Sequence, residues 1–151
     1  MALVKNKQII QDSWHHLTAE QTSLANTIVS LDYWQENKQA LILSKQPFGL
    51  KVSGDLPAES FSEALEHASL IAIEFPIFSD GRGYSLAKTL RDKYRFTKEI
   101  RAIGDVLPDQ AFYLSRVGFD SLELKSDLSA KLAIEKLADF SVYYQKDSVS
   151  Q

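Results

Sequence analysis

The sequence predicts an α/β protein: four or five βα units around a parallel sheet, partial (βα)-barrel-like, with its helices on one face. Two observations predict it. From Pro47 onward, short apolar runs alternate with helix-patterned segments of roughly ten residues, the rhythm of βα units with right-handed crossovers. The runs also sort unevenly by alternation. One side carries Leu50, Val52, Ile71, Ile73, Phe75, Ile100, Ala102, Leu122 and Leu124. The other carries Lys51, Leu70, Ala72, Glu74, Arg101, Ile103, Ser121, Glu123 and Lys125. A doubly wound sheet is covered by helices on both faces and is apolar on both. A flavodoxin-like doubly wound sheet is therefore the alternative, and the mixed face argues against it. That face can hold a ligand, an N-terminal extension or a second subunit, the last making a homo-oligomer one reading.

The elements follow in order. Residues 1–46 read as an N-terminal extension packing on the main domain, with a helix over "SLDYWQENKQALIL" that has Asp32 in its first turn. Residues 47–145 form the βα-repeat domain. "FGLKVS" (48–53) is a strand and "GDLP" a turn; Pro57 opens a helix to about His67 with Phe61, Ala64, Leu65 and Ala68 on one side. "SLIAIEF" (69–75) is nearly all apolar, as a strand inside a sheet must be. A helix over about 84–94 points Leu86, Ala87, Leu90 and Tyr94 inward, and "EIRAIGDV" (99–106) is the next strand. Pro108 starts a helix that Gly118 ends, and "FDSLELK" (119–125) is the fourth strand. "SDLSAKLAIEKLADF" is a helix with Leu128, Leu132, Ile134, Leu137 and Phe140 inward. The ending "SVYYQKDSVSQ" adds a short strand and then a frayed tail at 146–151.

Composition narrows the function. A chain of 151 residues suits one compact domain with a real core. A net charge of −3 gives no basic footprint for nucleic acid. No apolar run is long enough to span a membrane, and no leader is apparent at the N-terminus, so the expected location is cytoplasmic. There is no cysteine, which removes thiol catalysis, thiolate metal sites and iron–sulfur ligation. The three histidines lack ligand spacing, so no metal site is expected, and no cofactor is evident.

In parallel α/β sheets, ligands bind beyond the carboxyl ends of the strands. Two loops of unusual composition fall there. In "DGRGYS", Gly81 and Gly83 allow positive φ and close approach. Arg82 can fork onto an anion, Ser85 can cap the helix or bind the same anion, and the backbone leads into a helix N-terminus. No GxGxxG or GK[ST] pattern is present. The loop is either an anion site, with Tyr84 and Arg101 completing it, or a tight turn with Asp80 and Arg82 paired locally. In "GDVLPDQ", Asp109 and Gln110 suit helix capping, while Asp105 can be an acid or base beside Arg82; Asp80 is the other acid–base candidate. Glu74 ends its strand on the face of Arg101, which suggests either an ion pair between them or an acid with a raised pKa. Whether the chain is an enzyme is left open by these residues.

Phe75–Pro76, Asp80–Ser85, Leu90–Arg91, Arg101–Ala102, Gly104–Val106, Asp109–Gln110 and Gly118–Phe119 together carry a resemblance. Over residues 47–145 the chain resembles the bacterial proteins grouped as Domain of Unknown Function family 934. Members are commonly encoded beside assimilatory sulfite reductase. The resemblance therefore implies an accessory role in sulfite reduction, with sulfite reductase or its electron donor as partner. It implies no catalytic residues.

Overall fold

The fold comes from a computed structural model that describes residues 1–18, 25–77 and 81–149, with side chains as far as residue 138. A hairpin opens the chain: β1 (Ala2–Lys5) and β2 (Gln8–Ile10) pair antiparallel around a turn in which Asn6 and Lys7 both have positive φ. Next come the two-residue β3 (His15–His16) and β4 (Thr27–Ser30), parallel to one another. The Ser30 hydroxyl accepts from the Tyr33 N–H at 3.1 Å and starts α1 (Leu31–Ser44), which Lys45 ends in a left-handed conformation. β5 (Phe48–Ser53) is followed by a 3-10 helix, Ala58–Glu66. Then come β6 (Leu70–Phe75), α2 (Arg82–Asp92) and β7 (Glu99–Gly104). A 3-10 turn at Pro108–Gln110 leads into α3 (Ala111–Val117), and β8 (Ser121–Leu124) and α4 (Asp127–Val149) complete the chain.

The strands form one sheet in the order β2-β1-β8-β7-β6-β5-β4-β3. From β3 to β8 all pairings are parallel; β1 and β2 add an antiparallel edge. The sheet curls into a half-barrel with five βα units. Val29, Leu50, Val52, Ile71, Ile73, Ile100, Ala102, Leu122 and Leu124 are buried in one cluster with Trp34, Phe61, Leu86, Leu90, Leu114 and Ala133 of the helices. The apolar face is thus the convex, helix-covered one, and the doubly wound alternative is excluded because every described helix packs on that side.

Four expectations need correction. The segment after Pro57 is a 3-10 helix rather than an α-helix. Phe61 leaves helical geometry (φ −135°) to bury its ring, and the Ser60 and Ser62 hydroxyls donate to the carbonyls of Pro57 and Glu59, competing with an α-helical ladder. α4 continues to Val149 through the stretch expected as a strand and a frayed tail. Its inward residues are Ala130, Ala133 and the expected Leu137, with the expected Ile134 packed beside them, while Leu128 and Leu132 face solvent and the Phe140 side chain lies outside the described residues. Residues 1–46, expected as an extension packed on the domain, enter its sheet as four strands and supply α1.

The curl has a covalent consequence. β2 and β3 are the two edges of an eight-stranded sheet, which laid flat would stand ~34 Å apart at ~4.8 Å per strand. Five residue steps from Ile10 to His15 span at most ~17 Å. The linking segment, residues 11–14, therefore works as a strap that crosses the open side of the half-barrel. It is the N-terminal segment, among the three occupants considered, that covers the mixed face. Trp14 packs there on Ile28, Leu70, Ala72 and Ile103.

Candidate functional site

The concave face holds a closed charge cluster. β7 presents Glu99 and Arg101 at alternate positions, and β8 presents Ser121 and Glu123 beside them, with Arg101 opposite Ser121. Arg101 is only 1% exposed. Its Nη1 donates to Asp12 of the strap at 2.9 Å and to Glu123 at 3.1 Å, and its Nη2 lies 3.4 Å from Glu99. Glu99 also accepts from Lys5 and Ser121, each at 2.7 Å. His16, on the far edge strand β3, brings its Nε2 within 3.1 Å of Glu123. That contact joins strands five places apart in the sheet, so it is made only because the sheet curls.

Burial and charge oppose one another here. Burial raises the pKa of Glu99, but Lys5, Ser121 and Arg101 outweigh it and hold the carboxyl below its ordinary value. Burial likewise raises Glu123, and His16 and Arg101 bring it below the ordinary range. Arg101 is disfavoured as a cation by burial, yet Asp12, Glu123 and Glu99 together raise its pKa. Glu99, Glu123 and Arg101 are thus each favoured in their charged forms, and the cluster is mutually satisfied apart from Arg101 Nε, which meets no acceptor among the described residues.

The strand-end loops are built differently. Asp80 lies outside the described residues. Gly81 precedes α2 at φ −78°, and a Cβ there would meet nothing within 4 Å, so neither the positive φ nor the close approach that glycine allows is used at this position. Gly83 is required by close approach instead: a Cβ would lie 2.4 Å from the Phe75 ring. The cause is that the first turn of α2 rests on Phe75 and on Gly54, whose own Cβ would lie 2.9 Å from the Gly83 Cα. Tyr84 packs its ring on Phe75 at 5.5 Å, and burial raises its pKa. Ser85 is exposed on the fourth residue of α2, past the N-cap position, so it does not cap the helix. The Arg82 side chain is 65% exposed, with Asp55 at 3.9 Å.

Asp105 is half-buried. Its N–H donates to the Phe75 carbonyl at 2.8 Å, tying the ends of β6 and β7 together, and its carboxylate lies 3.3 Å from Lys125. Gln110 accepts from the Leu107 N–H at 3.1 Å, and Asp109 is exposed 3.8 Å from Lys136. The pairing of Glu74 with Arg101 is not made. Glu74 stands opposite Ile103 and Arg101 opposite Ala72, and the guanidinium turns towards β8 and the strap. Glu74 has no ion pair among the described residues.

The residues proposed from sequence thus divide between two places. Arg82, Tyr84, Ser85, Asp105, Asp109 and Gln110 surround the carboxyl ends of β6 and β7, while Arg101 is enclosed on the concave face. Sequence reading missed Asp12, His16, Glu99 and Lys5. Glu99 was within reach, since it alternates in phase with Arg101. Asp12 and His16 lie in a stretch without periodicity, and nothing local points to them.

No described helix is long and apolar enough to cross a membrane. No match to a curated protein was found. Residues 49–151, β5 through α4 and beyond, match the family described as "Bacterial protein of unknown function (DUF934)". That span covers most of the chain and carries both strand-end loops and, of the charge cluster, Glu99, Arg101, Ser121 and Glu123, and the chain belongs to this family.

Proposed function

We propose that this chain is a cytoplasmic accessory protein of assimilatory sulfite reduction, which docks on sulfite reductase or its electron donor through the loops at the carboxyl ends of β6 and β7. The supporting observation is the fate of Arg101. A small-anion enzyme would use that guanidinium, but three carboxylates of the chain itself occupy it under the strap. The docking end keeps polar and apolar side chains turned outward: Arg82 is 65% exposed and Ile77 57% exposed, on either side of residues 78–80. An exposed arginine beside an apolar side chain is a common centre for a protein contact. Membership of the family agrees with the role through the resemblance described above.

The test is capture of purified reductase, and separately of its electron donor, on the immobilised full chain. Binding at micromolar concentration is expected with one of them, weakened at least ~10-fold by Arg82→Glu or Ile77→Glu. Absence of both complexes would remove the docking role.

A further inference from the structure

At the opposite, amino-terminal ends of β7 and β8, the seam between sheet and helices opens into a cleft of about 480 Å³. This lies within the ~300–1,000 Å³ range of small-molecule sites. Its inner wall is apolar, formed by Val4, Phe119, Leu122 and Leu137. Space exists because α3 and its end turn small groups towards it: Ala111, Ser115 and Gly118 succeed one another at spacings of four and three.

The rim is held rigidly by Arg91. Its Nε and Nη2 donate to the Gly118 carbonyl at 3.1 and 2.7 Å, its Nη1 donates to the carbonyls of Phe96 and Lys98 at 2.8 and 2.7 Å, and Nη2 also donates to Asp120 at 2.6 Å. These contacts use all five guanidinium N–H groups. Asp120 in turn accepts from the Ile100 N–H at 2.9 Å. The loops before β7 and β8 are therefore fixed before any ligand arrives, which lowers the ordering cost of binding. Of the cations lining the cleft, Lys5 also donates to Glu99 and Arg91 is committed to the rim beside Asp120, so Lys7, exposed on the turn between β1 and β2, marks the place of a charged head; the Ser115 and Thr97 hydroxyls add hydrogen-bonding capacity.

We propose that this cleft binds a small amphipathic anion, its apolar body against Phe119 and Leu137 and its charged head at the Lys7 rim. The site is remote from the docking loops and stands or falls independently of them. The test is a titration of the isotope-labelled full chain, followed by backbone amide shifts at low salt, with octane-1-sulfonate as probe and octylammonium as its cationic counterpart. Saturable shifts are expected at Asn6, Lys7, Ser115 and Phe119 with the sulfonate, and at least ~10-fold weaker binding of the ammonium. Lys7→Glu should weaken the sulfonate about fivefold, a typical effect of one rim charge. Ser115→Trp, at an exposed position, should block the cleft; Thr97→Trp, also exposed, provides the same test if the first variant loses its dispersed spectrum. The proposal is overturned if no saturable shifts appear by ~10 mM probe, if they map elsewhere, if both head groups bind equally, or if a folded tryptophan variant binds as the wild type does.

Discussion

Arg101 is the side chain on which the interior electrostatics turn. It is fully buried between Asp12, Glu99 and Glu123, so deleting it leaves carboxylates stranded in a region of low polarity. Arg101→Met should cost ~3–5 kcal/mol in urea unfolding at neutral pH, and a loss below ~1 kcal/mol would contradict the assignment of these carboxylates as charged. Acid acts on the same groups. Glu99 and Glu123 have folded pKa values below their unfolded ones, so their contribution is complete above the unfolded value of ~4.3 and is lost as pH falls through the folded values. Unfolding free energy should therefore fall steeply below about pH 4.5. Glu123→Gln should flatten that fall, which unfolding titrations at stepped pH will measure; an unchanged slope would count against the cluster. How legible this was in the sequence is instructive. Alternation placed Arg101 on the mixed face, but choosing its partner requires strand register and the path of a segment nearly ninety residues away, and neither is encoded locally. Glu74 was the plausible partner by proximity of strands alone.

At the scale of the element, the junction of β6 with α2 explains why the glycines of the DGRGYS stretch differ. Gly83→Ala forces a methyl into the Phe75 ring, and should destabilise by ~1–3 kcal/mol. Gly81→Ala places its methyl in open space at an α-helical φ and ψ, and should be neutral or stabilising by up to ~1 kcal/mol. Thermal melts of the two variants provide the comparison, and equal losses would mean that the loop needs both glycines for another reason. The motif looked symmetric in sequence because neither neighbour of the helix start, Phe75 or Gly54, can be placed against it without the fold. The strands and helix of this unit were legible because one periodicity dominated each. α4 was legible as a helix and its orientation only in part, with Ile134 and Leu137 inward as expected. Counting leucines put Leu128 and Leu132 inward, whereas the close approach of the helix selected Ala130 and Ala133.

For the whole molecule, the asymmetry of the sheet faces was enough to predict a singly covered, curved sheet, because it reports which side the helices bury. What covers the other side was not predictable, since the strap is four residues without a pattern and its effect depends on the closure of the sheet. With the strap in place, the half-barrel spends its concave polar groups on its own closure, and the surface left for partners is the outer one. The central claim is that no small inorganic anion uses the Arg101 cluster or the DGRGYS loop. Its most direct test is the melting temperature of the full chain in sulfite, sulfate or phosphate, compared with chloride at equal ionic strength. A site filled at a hundred times its Kd would add ~2.7 kcal/mol, which is ~5–10 °C for a chain of this size. The account predicts no shift beyond that of chloride; a sulfite-specific rise of several degrees that Arg82→Ala or Arg101→Lys abolishes would contradict it.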